Sequence, residues 1–231
     1  VNPTLIARNL EQVQARIAAA CQRAGRPVDA VTLVAVSKTF PVEVVEAARK
    51  AGLHNFGENR VQELVSKADR LPGMVAGGTV CWHLIGHLQR NKAKDAVRVA
   101  DVFHALDSFR LAEELDRRCA EAGRVLPCFG QVNVSEEDSK SGIAPDETHA
   151  FLDQVATLPH LRLLGLMTLA APTDDPEAVR PQFRLLRTLR DTWQEGRLPY
   201  LSMGMSGDFE VAIEEGATHV RVGSALFGSR S

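Results

Sequence analysis

The chain has 231 residues, 45% of them hydrophobic and 24% charged, with a formal net charge of −2. That is the composition of an ordinary soluble globular protein, and a charge so close to zero excludes a surface built to seek nucleic acid or anionic membrane. No apolar run reaches the ~18 residues of a membrane span, and the cysteines at 21, 81, 119 and 128 lack CxxC spacing, reading as reduced packing residues of a cytoplasmic protein.

Leu5, Ile6, Leu10, Val13 and Ile17 recur at helical spacing near the N-terminus, and Gly25 closes that helix. Acidic and basic residues are mixed through it, unlike a signal peptide. Strand-like and helix-like stretches then alternate. Strands are predicted over 31–37, 54–59, 81–86, 102–107, 127–134, 162–169, 200–205 and 218–224. Helices are predicted to begin at Val42, Arg60, Asn91, Ser108, Pro145, Pro176 and, in a shorter one, Phe209. Segments 76–79 and 171–177 read as loops. Several strands are apolar on both faces, as parallel strands covered by helices are. The alternation predicts an α/β fold, a single (β/α)8 TIM barrel over residues 1–231 with an extra N-terminal helix. A doubly wound open sheet is the alternative.

In such a barrel, chemistry gathers at the C-terminal ends of the strands. That rule places Lys38, Asn59, His87, Asp107, Met167, Ser206 and Ser224 near one rim. In VAVSKTFP, alternation puts Lys38 on the same side as Val34 and Val36. In LSMGMSGDFE, Gly204, Ser206 and Gly207 lead from a strand into a short helix that Ser206 or Asp208 would cap. Gly223 and Ser224 directly follow the last strand. Two adjacent loops of this kind form a phosphate cradle, or else are simply capped turns. Arg221 alternates with Val220 and Val222 and points into the barrel if the valines face helices. Neither a P-loop nor a strand-linked GxGxxG is present.

Other polar residues have plainer readings. His83 and His87 are four apart, but Leu84 stands where a zinc helix needs glutamate, so no metal is assigned. Asp107 and Ser108 read as a helix cap; Glu58 and Asn59 either line a site or form a turn. Met167 and Met203, taken alone, read as core. A lysine, a phosphate cradle and an arginine around one cavity suit pyridoxal 5′-phosphate: aldehyde toward Lys38, phosphate in the cradle, ring nitrogen toward Arg221. Desolvation beside a cation lowers a lysine's pKa and frees its amine to react.

VAVSKTFP, FGENRVQE, WHLIGHLQRNK, GLMT, LSMGMSGD and VRVGSALFG occur in that order between about Val31 and Gly228. Together they closely resemble the pyridoxal phosphate homeostasis protein family, and with the N-terminal helix the resemblance covers nearly the whole chain. It implies a type III pyridoxal phosphate fold, the alanine racemase barrel without the racemase's β-rich second domain. It also implies a Schiff base on Lys38 and phosphate contacts from Ser206, Gly207, Gly223 and Ser224. Arg221 would face the pyridine nitrogen, with Asn59 and Met203 nearby. Phe40 stands where the family more often carries a lysine or other polar residue; Ser224 stands where threonine is common, and keeps the hydroxyl.

The function so implied is to carry and buffer the cofactor for vitamin B6 homeostasis, with little or no catalysis. Recipient apoenzymes would be transient partners of a cytoplasmic monomer. A guanidinium can only donate hydrogen bonds, so Arg221 leaves the ring nitrogen unprotonated and weakens the ring as an electron sink. Racemases compensate with a tyrosine from another domain and subunit. Here the only tyrosine is Tyr200, at a strand start, and no residues are left for a second domain. A pyridoxal-phosphate-dependent amino-acid racemase or lyase is the rival reading; a cofactor-free Schiff-base aldolase acting on a sugar phosphate is a third.

Overall fold

A computed structural model describes residues 2–135 and 141–228. Asn2 starts helix α1 (Pro3–Arg23): its side-chain oxygen accepts the Thr4 N–H at 2.9 Å, and Pro3 sits in the first turn, where a missing N–H costs nothing. Ile6, Leu10, Val13, Ile17, Ala20 and Cys21 form its buried stripe, and Gly25 follows in the left-handed conformation at φ +63°.

The strands are β1 (Thr32–Val36), β2 (Asn55–Glu58), β3 (Cys81–Leu84), β4 (Val102–Leu106), β5 (Leu126–Gln131), β6 (Leu161–Met167), β7 (Tyr200–Ser202) and β8 (His219–Val222). Each pairs in parallel with the next, and β8 pairs back onto β1 with Val34 opposite Arg221, closing the barrel. The outer helices are α2 (Val42–Lys50), α3 (Val61–Ala68), α4 (Ala93–Val99), α5 (Phe109–Glu121), α6 (Thr148–Val155), α7 (Arg180–Thr192) and α8 (Phe209–Glu214), followed by α9 (Ser224–Phe227). Closure rules out the open-sheet alternative. Among the described residues, no helix is long and apolar enough to cross a membrane.

Several elements are shorter than the sequence pattern suggests, for local reasons. β7 stops at Ser202 because Gly204, at φ +93°, turns the chain; a Cβ there would stand 2.6 Å from that of Ala212. β5 leaves the barrel after Gln131, and Val132 bridges instead to Ile143. A turn of 3-10 helix precedes α4, α6 and α7, over Arg90–Lys92, Pro145–Glu147 and Pro176–Val179. Helix α1 lies outside the barrel against α8 and α9, with Arg16 on Glu210 and Arg23 on Glu214, both at 2.7 Å. Such exposed pairs contribute little; the buried stripe holds the helix, at roughly 1.5–3 kcal/mol per fully buried aliphatic side chain.

Candidate functional site

The chain leaves β1 at Val36 and turns at Lys38, which lines a cavity of about 860 Å³ at the C-terminal mouth of the barrel. Thr39, next in sequence, has φ +69°. A β-branched residue in the left-handed region costs on the order of 1–3 kcal/mol and persists only where its surroundings impose it. Here the Glu63 carboxylate on α3 accepts the Thr39 N–H at 2.5 Å. Lys67 Nζ donates to that same carboxylate at 2.8 Å, to the Ser37 carbonyl at 2.8 Å and to Glu58 Oε1 at 2.6 Å. Ser37 Oγ also donates to Glu58 Oε1, at 2.6 Å.

Ser37 faces away from the cavity where Lys38 faces toward it, so this cluster braces the turn from behind. Glu58 is fully buried, and burial pushes its carboxyl up to about 7 against the opposing pull of Lys67 and Ser37. Its Oε2 has no partner among the described residues.

The loops after β7 and β8 meet at Ser206. Its Oγ accepts the Gly223 N–H at 3.2 Å and the Ala225 N–H at 3.5 Å. Among the described residues, the N–H groups of Gly207 and Ser224 have no protein acceptor, and the space a Gly207 Cβ would occupy is open. The expected capping of α8 is not what Ser206 and Asp208 do. Asp208 stands at the cap position, but its carboxylate accepts the Met205 N–H at 2.6 Å and closes the loop, while Ser206 joins the two loops.

Arg221 points into the barrel, as the burial of Val220 and Val222 on the helix side requires; only 3% of it is exposed. Its Nη1 donates to Ser202 Oγ at 2.6 Å and its Nη2 to the Thr168 carbonyl at 2.7 Å. Burial lowers the guanidinium to about 10, with Asp208 acting in the opposite sense, so it remains charged at neutral pH.

Lys38, Asn59, Ser206, Gly207, Arg221, Gly223 and Ser224 all line this one cavity. Met203 does not: it is fully buried in the core, and Met205, beyond the Gly204 turn, reaches the wall instead. Phe40 lines the cavity and packs on Phe227, ring centroids 5.2 Å apart. Gln131 and Asn133 also line it and were not singled out from the sequence. Their signal was the QVN step at the end of an apolar strand, polar residues two apart. Gly86 is a second omission: a Cβ there would stand 2.2 Å from the Asn59 carbonyl oxygen, so glycine is what lets Asn59 lie against it.

Of the remaining candidates His87 reaches the cavity, and His83, Asp107 and Met167 do not line it. His83 lies inside the barrel below the cavity, bonded to His104 and Asn55. His87 lines the cavity at its rim and pairs with Asp107, Nδ1 to Oδ2 3.1 Å. Asp107 is thereby engaged away from α5, and Ser108 occupies the cap position of that helix without a side-chain hydrogen bond. Met167 is fully buried at the end of β6.

A closed parallel barrel with a lysine after β1, an N–H-lined loop pair after β7 and β8, and a buried arginine on β8 defines a class of cofactor-binding barrels. Residues 8–231 match the alanine racemase N-terminal domain family. A pyridoxal phosphate homeostasis protein of Aquifex aeolicus is 44% identical over 96% of this chain and 96% of its own length. The solved structure of PipY from Synechococcus elongatus with PLP bound has a TM-score of 0.82 and 37% identity, covering 96% of this chain and all of that one. Alanine racemase from Corynebacterium glutamicum shares the fold alone, with a TM-score of 0.72 at 18% identity over 62% of its length. The chain belongs to the alanine racemase N-terminal domain family and, within it, to the pyridoxal phosphate homeostasis proteins.

Proposed function

We propose that this protein binds pyridoxal 5′-phosphate in the cavity at the barrel mouth and holds it in reserve, maintaining the supply of the cofactor rather than turning over a substrate. The observation that carries this reading is the convergence on one cavity of a lysine, a buried charged arginine and an N–H-lined loop pair. The donor set fits the cofactor. Gly207 and Ser224 offer N–H groups without acceptors among the described residues, Ser206 adds a hydroxyl, and Lys38 supplies a primary amine for covalent capture of an aldehyde. Asn59 contributes a wall amide.

When bound, pyridoxal phosphate supplies an electrophilic aldehyde and an electron-withdrawing ring. The ring's power as an electron sink depends on a proton at its nitrogen. Arg221 has five N–H donors and nothing to accept with, and its charge survives burial, so it favours the unprotonated ring. Tyr200, the only tyrosine, stands at the opposite end of β7 from the cavity, edge-on to His219 with ring centroids 5.3 Å apart. It is therefore poorly placed to act as the second base of a racemase. In this reading the protein acts as a monomer, with recipient apoenzymes as transient partners. The buried free cysteines Cys21, Cys119 and Cys128 accord with a reducing, cytoplasmic setting.

Mixing the purified protein with pyridoxal phosphate should give a visible absorption band that the Lys38→Ala variant lacks. A protein that takes up no pyridoxal phosphate would refute the reading. Single amino-acid enantiomers should persist unchanged with the loaded protein; sustained turnover at enzyme-like rates would instead establish the racemase alternative.

A further inference from the structure

Beneath the cavity, the barrel interior holds an unbroken row of hydrogen bonds from β2 to β8. Asn55 Oδ1 lies 3.0 Å from His83 Nε2. His83 Nδ1 is 2.8 Å from His104 Nε2, and His104 Nδ1 is 2.9 Å from Ser202 Oγ. Ser202 Oγ accepts from Arg221 Nη1 at 2.6 Å. Both histidines, Ser202 and Arg221 are at most 3% exposed. Filling a barrel interior requires only apolar bulk, and burying polar groups there is costly unless every one is satisfied.

The chemistry at the two ends fixes the direction of every link. An amide oxygen only accepts, so the proton between Asn55 and His83 sits on His83 Nε2. Burial holds both rings neutral, His83 down at about 3 and His104 well below its ordinary value, so each carries one N–H. His83 Nδ1 must then accept, from a proton on His104 Nε2. His104 Nδ1 in turn accepts the Ser202 hydroxyl proton. That leaves the Ser202 lone pairs, and not its proton, facing the guanidinium. With His104 in the other tautomer, two donors would take both Ser202 lone pairs and its own proton would lose the His104 acceptor.

We infer that His83 and His104 are positioning residues for Arg221: through Ser202 they hold the guanidinium, with its remaining donors, toward the cavity. The inference rests on the reading of that cavity as the pyridoxal phosphate site. His83 does not line the cavity, so the hydrogen-bonded route from it to a ligand runs through His104, Ser202 and Arg221.

Two measurements test it. In cofactor-free protein, long-range 1H–15N NMR should show both His83 and His104 protonated at Nε2 and unprotonated at Nδ1. An Nδ1–H tautomer on either ring overturns the assignment. Pyridoxal phosphate titrations then compare variants. His83→Phe should weaken binding about tenfold, a fraction of a charge-assisted hydrogen bond to Arg221. His83→Gln, whose amide can both donate to Asn55 and accept from His104, should bind within about threefold of the parent. In an Arg221→Gln background, His83→Phe should have no further effect. Equal losses in both backgrounds would overturn the inference while leaving the cavity reading intact. Failure of the parent protein to bind pyridoxal phosphate would instead remove the cavity reading and this inference with it.

Discussion

Acid should unfold this protein through the histidines of its barrel interior. Burial holds His83 at about 3 and His219 at about 4, and keeps His104 well below its ordinary value. Once unfolded, the same imidazoles take up protons near pH 6.5. Below that pH the unfolded chain therefore holds three protons that the native state refuses. Glu58 acts in the opposite sense: with its carboxyl pushed up to about 7, the native state takes a proton that an unfolded glutamate accepts only near pH 4.3. The unfolded state is left with about two more protons between roughly pH 6 and 4.5, each worth about 1.4 kcal/mol per pH unit.

Stability should accordingly fall by roughly 3 kcal/mol per pH unit across that window, against a total on the order of 5–15 kcal/mol. Urea unfolding followed by circular dichroism, at pH values from about 7.5 to 4.5, measures the slope. His219→Leu removes one of the three imidazoles and should flatten the slope by about 1.4 kcal/mol per pH unit. An unfolding free energy that stays constant between about pH 6.5 and 5 would refute the linkage.

Lys67→Met leaves Glu58 buried without its cation and releases the brace on the Lys38 turn. It should cost about 3–5 kcal/mol in urea unfolding, whereas a loss below about 1 kcal/mol would show that the cluster does not bear on stability. Ser206→Ala removes the oxygen that gathers the Gly223 and Ala225 N–H groups. Pyridoxal phosphate affinity should drop about tenfold with little change in melting temperature. Unchanged affinity would separate Ser206 from the cradle.

The barrel was legible because its signals are local and repeated. Apolar strands alternate with helical stretches, and turn residues separate them. Strand ends were overextended where a turn depends on a non-local contact, as at Gly204, whose conformation is set by α8 packing against it. In the cavity, the inward Arg221 followed from alternation with two valines. The resemblance placed Met203 near the cofactor; it lies in the core, and Met205, beyond the left-handed turn at Gly204, lines the cavity. The Glu58–Lys67–Glu63 brace joins β2 to α3 and, through Ser37 and Thr39, to the turn after β1. It had no sequence signature beyond a glutamate and a lysine one helical turn apart. The histidine row was likewise hidden, since His83, His104 and Ser202 lie on separate strands and meet only when the barrel closes.

The central claim is that Lys38 holds the cofactor. Incubating the protein with pyridoxal phosphate, reducing with borohydride and mapping the modified peptide by mass spectrometry tests it directly. The account predicts the label on Lys38. Label confined to another lysine, or none at all, would contradict it.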